Sequence, residues 1–457
     1  MAVHRIKKGL DIPLAGAPEQ KVESGPSVTR VAVLAADFIG MKPRMRVEIG
    51  DEVKRGQALF EDRKREGVLH TASAAGTVVA VNRGEKRALR SVVIELSEGE
   101  RSGQPSADEL QVFASYSGAA VSDLSREQVV ALLVESGLWT ALRTRPFSRV
   151  PAVADAAPRA VYVTAMDTNP CAPDVDVALS GCEDDFALGL EVLKKLSDKV
   201  YVCRKPGGKL GGQGVQVEEF EGPHPAGNVG THIHTLDPVF RAKTAWHLGA
   251  QDVAAYGHLF ATGVLSPRRV VALGGPGVKK GGLLLTRLGA SIDELVDGRV
   301  AEGEQRVISG SVLSGTTAAG DVHGYLGRYH QQISVLAEGR QRDFLGWMTP
   351  GARVWSTMPA FLSAWFAGGK KWNLDTATNG SHRSMTPIGR YEQVFPLDML
   401  PTHLLRSCLS MDTERAEALG VLELDEEDVA LCTVVCPNKL EFGPALRQVL
   451  NTIEAEG

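Results

Sequence analysis

The most constraining feature of the sequence is the spacing of its apolar residues between positions 28 and 96. They come in short runs, among them VTRVAVLA, QALF, TVVAV and SVVIEL, which alternate with Gly, Asp and Asn. Apolar runs of this length between turn residues are typical of strands and are too short for ordinary helices. We therefore predict a small all-β domain here, followed by a polar linker that begins at Ser97 (SEGERSGQPSADE).

Part of this β segment has the glycine spacing of a biotin or lipoyl carrier domain. The stretch GDEVKRGQALFEDRKREGVLHTASAAGTVVAV places Lys64 near the hairpin tip, where carriers of that type hold their cofactor. A biotinyl lysine usually lies in M-K-M and a lipoyl lysine in D-K-A, whereas Lys64 lies between Arg63 and Arg65. We therefore predict an unmodified barrel-sandwich hybrid domain, with a carrier modified at Lys64 as the alternative.

The middle of the chain alternates between strand and helix patterns. SREQVVALLVESG predicts a helix, because Ser125 and Gln128 have capping-box spacing and Gly137 supplies a stop. RAVYVTAM and KVYVCRK resemble buried strands and flank the amphipathic DDFALGLEVLKKLSD. We also expect a helix that begins at Asp237 and a strand over QDVAAYGHLF. This order predicts a parallel sheet with a Rossmann-like core.

From Arg268 two strands around a Gly-rich turn, the short helix SIDELVDG and the strand QRVISGSVLSG predict a compact β-grasp-like unit. The last helix has Leu446, Val449, Leu450 and Ile453 on one face. At 457 residues the chain is long enough for about three or four domains. The predicted fold class is multidomain α/β (α+β), with a barrel-sandwich hybrid at 1–100, a Rossmann-like domain at 105–262, a β-grasp-like domain at 266–325 and a helical domain at 329–457.

Composition excludes several classes of function. The formal net charge of -5 provides no basic field for a nucleic acid. The N-terminal MAVHRIKKGLDIPLAG lacks the apolar run of a secretory signal, and no segment approaches the 18 apolar residues that a membrane span requires. The six cysteines are scattered through a long chain, which indicates reduced thiols in a reducing compartment.

No motif predicts a nucleotide loop or a metal centre. KPGGKLGGQGVQV and ALGGPGVKKGGLLL do not match the Rossmann or P-loop patterns, so we interpret them as turns, with ligand contact by the first as the alternative. His224, His232 and His234 lack a fourth ligand at suggestive spacing, which favours hydrogen-bonded histidines over zinc. Cys432 and Cys436 supply only two thiols and are predicted to be buried.

The segment HRSMTPIGRYEQVFPLDMLP lacks the thiolates of an iron–sulfur site. Ferredoxin-type clusters use C-x2-C-x2-C-x3-C-P. If Pro396 is taken as the closing proline, the four ligand positions hold residues that cannot bind iron, namely Met385, Ile388, Tyr391 and Phe395.

Five motifs in order over nearly the whole chain resemble the A subunits of the bacterial sodium-translocating NADH:quinone oxidoreductases. They are IKKGLDIPLAGAPEQ, GLWTALRTRPFS, GPHPAGNVGTHIH, PIGRYEQVFPLDMLPT and CPNKLEFGPALR. The resemblance implies a barrel-sandwich domain, a Rossmann-like domain, a β-grasp (SLBB) domain and a helical region. It also implies a peripheral subunit on the cytoplasmic face of the inner membrane, without a redox cofactor of its own, in a complex that oxidises NADH, reduces ubiquinone and exports sodium. The chain alone is expected to catalyse none of these steps.

Within this resemblance, two stretches combine flat apolar surface with hydrogen-bond donors, as a quinone headgroup requires. The candidate quinone residues are Phe38, Ile39, Gly40 and Met41 in the first stretch and Trp139, Arg143, Arg145 and Phe147 in the second. Trp347, Trp355, Trp365 and Trp372 are candidates for contact with the membrane subunits, since aromatic residues are enriched at interfaces. For each, a core or surface role is the alternative.

The main rival function is a flavin- or NADH-binding electron-transfer protein of the Rnf C or complex I type, to which the same family is related. A carrier modified at Lys64 is a third class.

Overall fold

The computed structural model describes residues 2–340, 346–358, 360–366 and 368–456, and the side chains of Trp347 and Phe366 lie outside this description. The first two strands, β1 (Val3–Arg5) and β2 (Glu19–Ser24), lie at the edges of sheets that are formed by later parts of the chain. The predicted division at residue 100 therefore does not follow the sheets, because these strands pair with partners more than 200 residues away.

The next seven strands form the all-β domain that the apolar spacing predicted. One sheet has the order β3-β9-β8-β5 and the other the order β4-β6-β7. Leu59, Phe60, Val78, Val92 and Ile94 are fully buried in its core. The strands are β3 (Arg30–Leu34), β4 (Pro43–Met45), β5 (Glu52–Val53), β6 (Ala58–Asp62), β7 (Leu69–Thr71), β8 (Gly76–Arg83) and β9 (Leu89–Leu96).

The predicted linker contains a helical turn, α1 (Glu98–Arg101), capped by Ser97, and a short 3-10 turn (Ala107–Glu109). The buried Glu100 carboxylate accepts hydrogen bonds from Arg55 at 2.7 and 2.8 Å and from Arg287 at 2.8 Å. A buried ion pair therefore fixes part of this polar linker, which the lack of apolar periodicity did not reveal.

The α/β domain is a six-stranded sheet with the order β1-β13-β12-β11-β14-β10, parallel except for β10. The predicted helix is confirmed as α2, with the capping box between Ser125 and Gln128. The elements are α2 (Arg126–Glu135), β10 (Arg143–Arg145), β11 (Val161–Ala165), α3 (Val175–Ala178), α4 (Glu183–Leu196), β12 (Val200–Arg204), β13 (Gln216–Glu221), α5 (Val229–Leu236), β14 (Ala245–Gly249) and α6 (Ala250–Thr262).

Two assignments in this domain were wrong. Asp237 is the C-cap of α5 rather than the N-cap of a new helix, and the predicted strand QDVAAYGHLF is helix α6. A Cβ at Gly189 of α4 would collide with the Val253 carbonyl, and one at Gly257 of α6 with the Asp185 carbonyl. The two helices therefore pack backbone to backbone. This contact stabilises a helix in an apolar run that periodicity alone cannot distinguish from a strand.

The β-grasp-like sheet has the order β18-β17-β19-β15-β16-β2. Its last strand in the sequence, β19, lies beyond the predicted boundary at residue 325, within the segment that was predicted to be helical. Val271, Leu273 and Val335 of this sheet share one core with the all-β domain, so the two domains are packed together. The elements are β15 (Arg268–Gly274), β16 (Gly282–Arg287), α7 (Ile292–Val296), β17 (Gln305–Ser309), β18 (Thr316–Thr317), α8 (Gly320–His323) and β19 (Gln332–Ala337).

The described chain after β19 is largely irregular as far as Arg390, apart from a 3-10 turn and α9, and is helical from Tyr391 onward. Leu446, Val449, Leu450 and Ile453 are buried in its core, which confirms the apolar face. No helix within the described ranges is long and apolar enough to cross a bilayer. The helices are α9 (Ser363–Phe366), α10 (Tyr391–Val394), α11 (Pro401–Ser410), α12 (Thr413–Ala418), α13 (Glu426–Val435) and α14 (Phe442–Glu456).

Candidate functional site

A cavity of about 50 Å³ lies where the all-β, α/β and β-grasp-like domains meet. We call it the junction cavity. Because each domain contributes part of its wall, the cavity exists only when the three are packed together. It is lined by Ala32, Val33, Leu34, Asp37, Phe38, His70, Thr71 and Ser73 of the first domain, Gly137, Leu138, Thr140 and Leu265 of the second, and Leu288, Gly289, Leu326 and Arg328 of the third.

Three buried polar atoms in the cavity wall have no hydrogen-bond partner in the described structure: His70 Nδ1, Ser73 Oγ and Arg328 Nη2. Buried polar atoms are normally paired, so each unpaired one requires an explanation. The Arg328 guanidinium is fixed in place, because its Nη1 donates to Asp252 at 2.8 Å. The cavity thus presents mostly apolar walls with a few polar groups that have spare hydrogen-bonding capacity, which is the composition of a small-molecule site.

His70 is held between two aromatic rings. It meets the edge of Phe38 at 4.2 Å between centroids and stacks on Phe60 at 4.5 Å. Burial, together with the nearby positive charge of Arg328, lowers the pKa of His70 to about 3. His70 is therefore neutral at physiological pH, and one of its ring nitrogens can accept a hydrogen bond.

Asp37 stands at the edge of the cavity on the 3-10 turn after β3. One carboxylate oxygen accepts a hydrogen bond from the Arg328 backbone N–H at 2.8 Å. Burial raises the pKa of Asp37 to about 6, although the Arg328 hydrogen bond and the charges of Arg328 and Arg143 oppose the shift. The side chain itself is only half-buried, so we interpret the raised pKa as the effect of the surrounding apolar walls.

Of the predicted quinone residues, Phe38 lines the junction cavity and Arg143 lies one layer behind it. The Arg143 guanidinium sits 4.5 Å above the ring of Tyr329, which is 6.2 Å from the Phe38 ring. Tyr329 is held by a hydrogen bond from its hydroxyl to the Thr140 carbonyl at 2.8 Å. Arg143 therefore supports the aromatic wall from outside.

The residues after Phe38 do not line the cavity. Ile39 and Met41 are half-buried and Gly40 is exposed on the following turn. Met41 packs against the apolar cores of both the all-β and the α/β domains.

Trp139 lies between two cavity residues in sequence, yet its side chain belongs to the core. It has no exposed surface, its indole N–H donates to the Pro151 carbonyl at 2.8 Å, and its ring meets the edge of Trp246 at 5.4 Å. Trp139 therefore belongs to the core of the α/β domain and does not line the cavity.

Arg145 is fully buried and faces the C-terminal helices instead of the cavity. Its guanidinium pairs with Asp428 at 2.8 Å and with Glu427 at 3.0 Å, and lies 3.7 Å from Asp425. Burial disfavours the charged guanidinium, but these carboxylates outweigh it and raise the pKa of Arg145. The arginine therefore joins β10 to the N-terminal end of α13.

Phe147 extends the same interdomain contact. Its ring packs against the C-terminal core, and its carbonyl accepts a hydrogen bond from Arg447 at 2.9 Å. The adjacent Ser148 donates to Asp425, which also pairs with Arg447. We call Arg145, Asp425, Glu427, Asp428 and Arg447 the buried ion network.

The described tryptophans of the predicted partner surface do not share one environment. Trp365 is 80% exposed, whereas Trp372 is 7% exposed beneath Lys370, whose Nζ lies 4.1 Å from the ring centroid. Trp355 is half-buried against the C-terminal core. The side chain of Trp347 lies outside the described structure. Trp365 is thus the member of the described set that is open to a partner.

The three histidines of GPHPAGNVGTHIH are engaged separately. His224 contacts Thr168 at 3.1 Å, His232 contacts the Ala226 carbonyl at 2.9 Å, and His234 pairs with Glu423 at 2.8 Å. The last two lie on α5. Within the described ranges, no group of three or more His, Cys, Asp or Glu side chains is arranged to hold a metal.

Two of the four positions that correspond to cluster thiolates are part of the C-terminal core. Tyr391 and Phe395 are each 1% exposed, while Met385 is half-buried and Ile388 is half exposed. The Tyr391 hydroxyl lies 3.2 Å from the sulfur of the buried Cys436. Bulky side chains therefore pack into the core at two of the four positions where the motif would place iron ligands.

The hairpin tip at Lys64 is exposed, but its neighbour Arg65 reaches Glu454 of α14, with 3.7 Å between the charged groups. In the segment KPGGKLGGQG, a Cβ at Gly212 would press on Leu190 of α4, and the Gly207 N–H donates to Glu219 at 3.2 Å. That loop therefore lies against its own domain.

Sequence reasoning missed Asp37, His70, Ser73, Arg328 and Tyr329. The signals available were a histidine and a serine inside the carrier-like motif, and the polar stretch GRYHQQ that leads into β19. Polar residues of this kind are commonly structural, and nothing in the sequence indicates that distant segments meet.

These features define a multidomain α/β protein with a cavity between its domains. Family models match residues 4–97 (NqrA N-terminal barrel-sandwich hybrid domain), 124–265 (NqrA second alpha/beta domain) and 270–320 (NQRA C-terminal domain, SLBB). The chain belongs to the family of the Na(+)-translocating NADH-quinone reductase A subunits.

Individual relatives match this chain over nearly their full length. The A subunit of this reductase from Serratia proteamaculans is 53% identical over 457 residues, which is 99% of this chain and 100% of that protein. The A subunit from Shewanella amazonensis is 51% identical over 453 residues, 99% of each chain. Among solved structures, an NAD+-reducing [NiFe]-hydrogenase chain reaches a TM-score of 0.38 at 13% identity, over 76% of this chain and 64% of that one, which is too distant to support an argument.

Proposed function

We propose that this chain is a peripheral subunit on the cytoplasmic face of the inner membrane that binds the headgroup of ubiquinone in the junction cavity, without a redox cofactor of its own. It works within a complex that couples NADH oxidation and quinone reduction to sodium export. The observation that supports the quinone site most strongly is the set of three unpaired polar atoms in a mostly apolar cavity of the described structure. A quinone carries two carbonyl acceptors on a flat apolar ring, which suits such a wall.

Several described groups can serve the headgroup. Ser73 Oγ and Arg328 Nη2 can each donate a hydrogen bond to a carbonyl oxygen, and the Phe38 ring offers a flat apolar contact. The cavity is small for a substituted ring, so binding requires a modest separation of the domains that form its walls. The all-β and β-grasp-like domains share one apolar core, so we expect the opening between the α/β domain and these two.

Ser73→Ala tests the cavity directly. We expect the affinity for a short-chain ubiquinone to fall about 3- to 10-fold, the value of one hydrogen bond. The thermal midpoint should stay unchanged, because Ser73 Oγ has no partner to lose in the described structure. Isothermal titration of the purified chain measures the quinone affinity, and calorimetric unfolding measures the thermal midpoint.

Ser407→Ala is the matched control, since Ser407 is a buried serine of α11 in the C-terminal helical domain. It should leave quinone affinity unchanged. Equal quinone affinity of wild type and Ser73→Ala would place the headgroup elsewhere, and the absence of binding to the wild type would assign quinone contact to other subunits.

We propose that Trp365 docks against one of the membrane subunits of the complex. It is a large exposed aromatic residue, and aromatic anchors dominate interface energetics. Trp365→Ala is expected to weaken assembly by about 2 kcal/mol, or roughly 30-fold, with no loss of chain stability. Binding of the purified chain to a complex that lacks it measures this effect. Unchanged affinity would exclude Trp365 from the interface.

The rival function, a flavin- or NADH-binding electron-transfer protein, has a simple test. A visible absorption spectrum of the pure chain should show no flavin or iron–sulfur band, and a stoichiometric band would favour the rival. Extra mass on Lys64 would likewise favour the carrier.

A further inference from the structure

Asp37 poses a problem for any ligand that can only accept hydrogen bonds. It lines the junction cavity, and one of its oxygens is occupied by the Arg328 backbone N–H. The described structure gives the other oxygen no hydrogen-bond partner. A quinone carbonyl has lone pairs and no proton. Beside an ionised Asp37 it would therefore form a pair of hydrogen-bond acceptors with no donor between them. A protonated Asp37 would donate a hydrogen bond to the same carbonyl.

We infer that Asp37 holds a carbonyl oxygen of the quinone as a carboxylic acid, so that quinone binding takes up one proton from solution. This inference rests on the proposed quinone site. The proton comes from water or buffer and moves onto the Asp37 carboxylate, and no bond of the quinone changes. The electrons for its later reduction come from the other subunits and play no part in this step.

The charged groups around Asp37 favour its ionised form only in part. Arg328 faces Asp37 from the loop before β19 but is already paired with Asp252, which also pairs with Arg269. Arg143 approaches from β10 with Tyr329 beneath its guanidinium. These arginines favour the ionised form, but burial outweighs them, so the pKa of Asp37 rises to about 6.

The other titratable groups near the cavity do not change charge between pH 5 and 8. Burial lowers the pKa of His70 to about 3 and that of His330 to about 4, and it raises the pKa of Tyr329 above its ordinary value. Asp37 is therefore the described group facing the cavity that titrates in this window. Glu427 also titrates near neutrality, because burial raises its pKa to about 7, but it belongs to the buried ion network.

Quinone affinity is expected to fall as the pH rises. The neutral form of Asp37 is complete well below pH 6 and is lost as the pH rises through 6. If only this form binds quinone, affinity is constant at low pH and falls tenfold per unit at high pH, or about 50-fold between pH 6 and pH 8. In the same scheme, binding at pH 7.5 takes up about one proton per quinone.

The test is an isothermal titration of a short-chain ubiquinone against the full chain from pH 5.5 to 8.5, repeated in buffers of different ionisation enthalpy. Wild type should show the loss of affinity and the uptake of one proton. Asp37→Asn keeps a donor at every pH and should bind with a constant affinity. Glu427→Gln is the control, because it removes a group that titrates in the same range outside the cavity, and it should retain the wild-type pH dependence.

A wild-type affinity that is independent of pH, or the same pH dependence in Asp37→Asn, would overturn the inference while leaving the quinone site intact. Absence of quinone binding at pH 5.5 would instead remove the proposed site, and the inference with it. The proton counts of wild type and Glu427→Gln do not need the Asp37→Asn variant, so a count near zero in either overturns the inference even if Asp37→Asn fails to fold.

Discussion

Arg145→Met is expected to destabilise the contact between the α/β domain and the C-terminal helices by about 3–5 kcal/mol, the usual cost of leaving buried carboxylates without their partner. Arg145 has no exposed surface and is in contact with Asp425, Glu427 and Asp428. Methionine has a similar length but no charge, so Asp428 would remain buried without its ion-pair partner, while Asp425 would keep Arg447. Denaturant unfolding, together with hydrogen exchange of α13 and α14, measures the loss.

Arg241→Ala is the matched control. Arg241 pairs with Glu417 of α12 across the same two domains, at 2.7 Å, but the two side chains are 47% and 33% exposed. Exposed pairs contribute about 1 kcal/mol at most. An equal effect of the two substitutions would show that burial of the ion network is not what joins the domains.

Trp139→Ala is expected to destabilise the chain by about 3–5 kcal/mol, because it leaves a large cavity and an unpaired Pro151 carbonyl in the α/β core. Quinone affinity should be retained by the fraction of the chain that stays folded, since the Trp139 ring does not line the junction cavity. Chemical denaturation measures the loss of stability, and titration with quinone well below the unfolding midpoint measures the affinity.

Trp365→Ala is the control for that experiment, because the same truncation at an exposed position should change the free energy of unfolding by no more than about 0.5 kcal/mol. A fully stable Trp139→Ala variant that no longer binds quinone would contradict the structural role and would return Trp139 to the binding site.

The spacing of neighbouring residues predicted those elements whose structure depends on short-range interactions. The strands β3, β6, β8 and β9, the capping box of α2 and the buried face of α14 follow from short-range spacing, and all are present. The pairing of β1, β2 and β19 was not predictable, because each joins a partner distant in the sequence. The segment that forms α6 was misassigned because its close contact with α4 is a tertiary effect.

The candidate site was predictable in part. Phe38 and Arg143 were selected as aromatic surface next to a donor, and they lie in or behind the wall of the junction cavity. The same rule selected Trp139 and Arg145, whose burial in a core and in an ion network cannot be read from residue type. Asp37 and Arg328 were missed because segments almost 300 residues apart bring them together.

Hydrogen–deuterium exchange of the purified chain, with and without a short-chain ubiquinone at pH 6, tests the quinone site most directly. Binding is expected to slow exchange in peptides from all three domains that form the junction cavity, namely those around Phe38, Ser73, Leu138 and Arg328. Ser73→Ala should reduce this protection, and Ser407→Ala should not. Protection confined to the segment around Trp365, or to no segment, would contradict the proposed site.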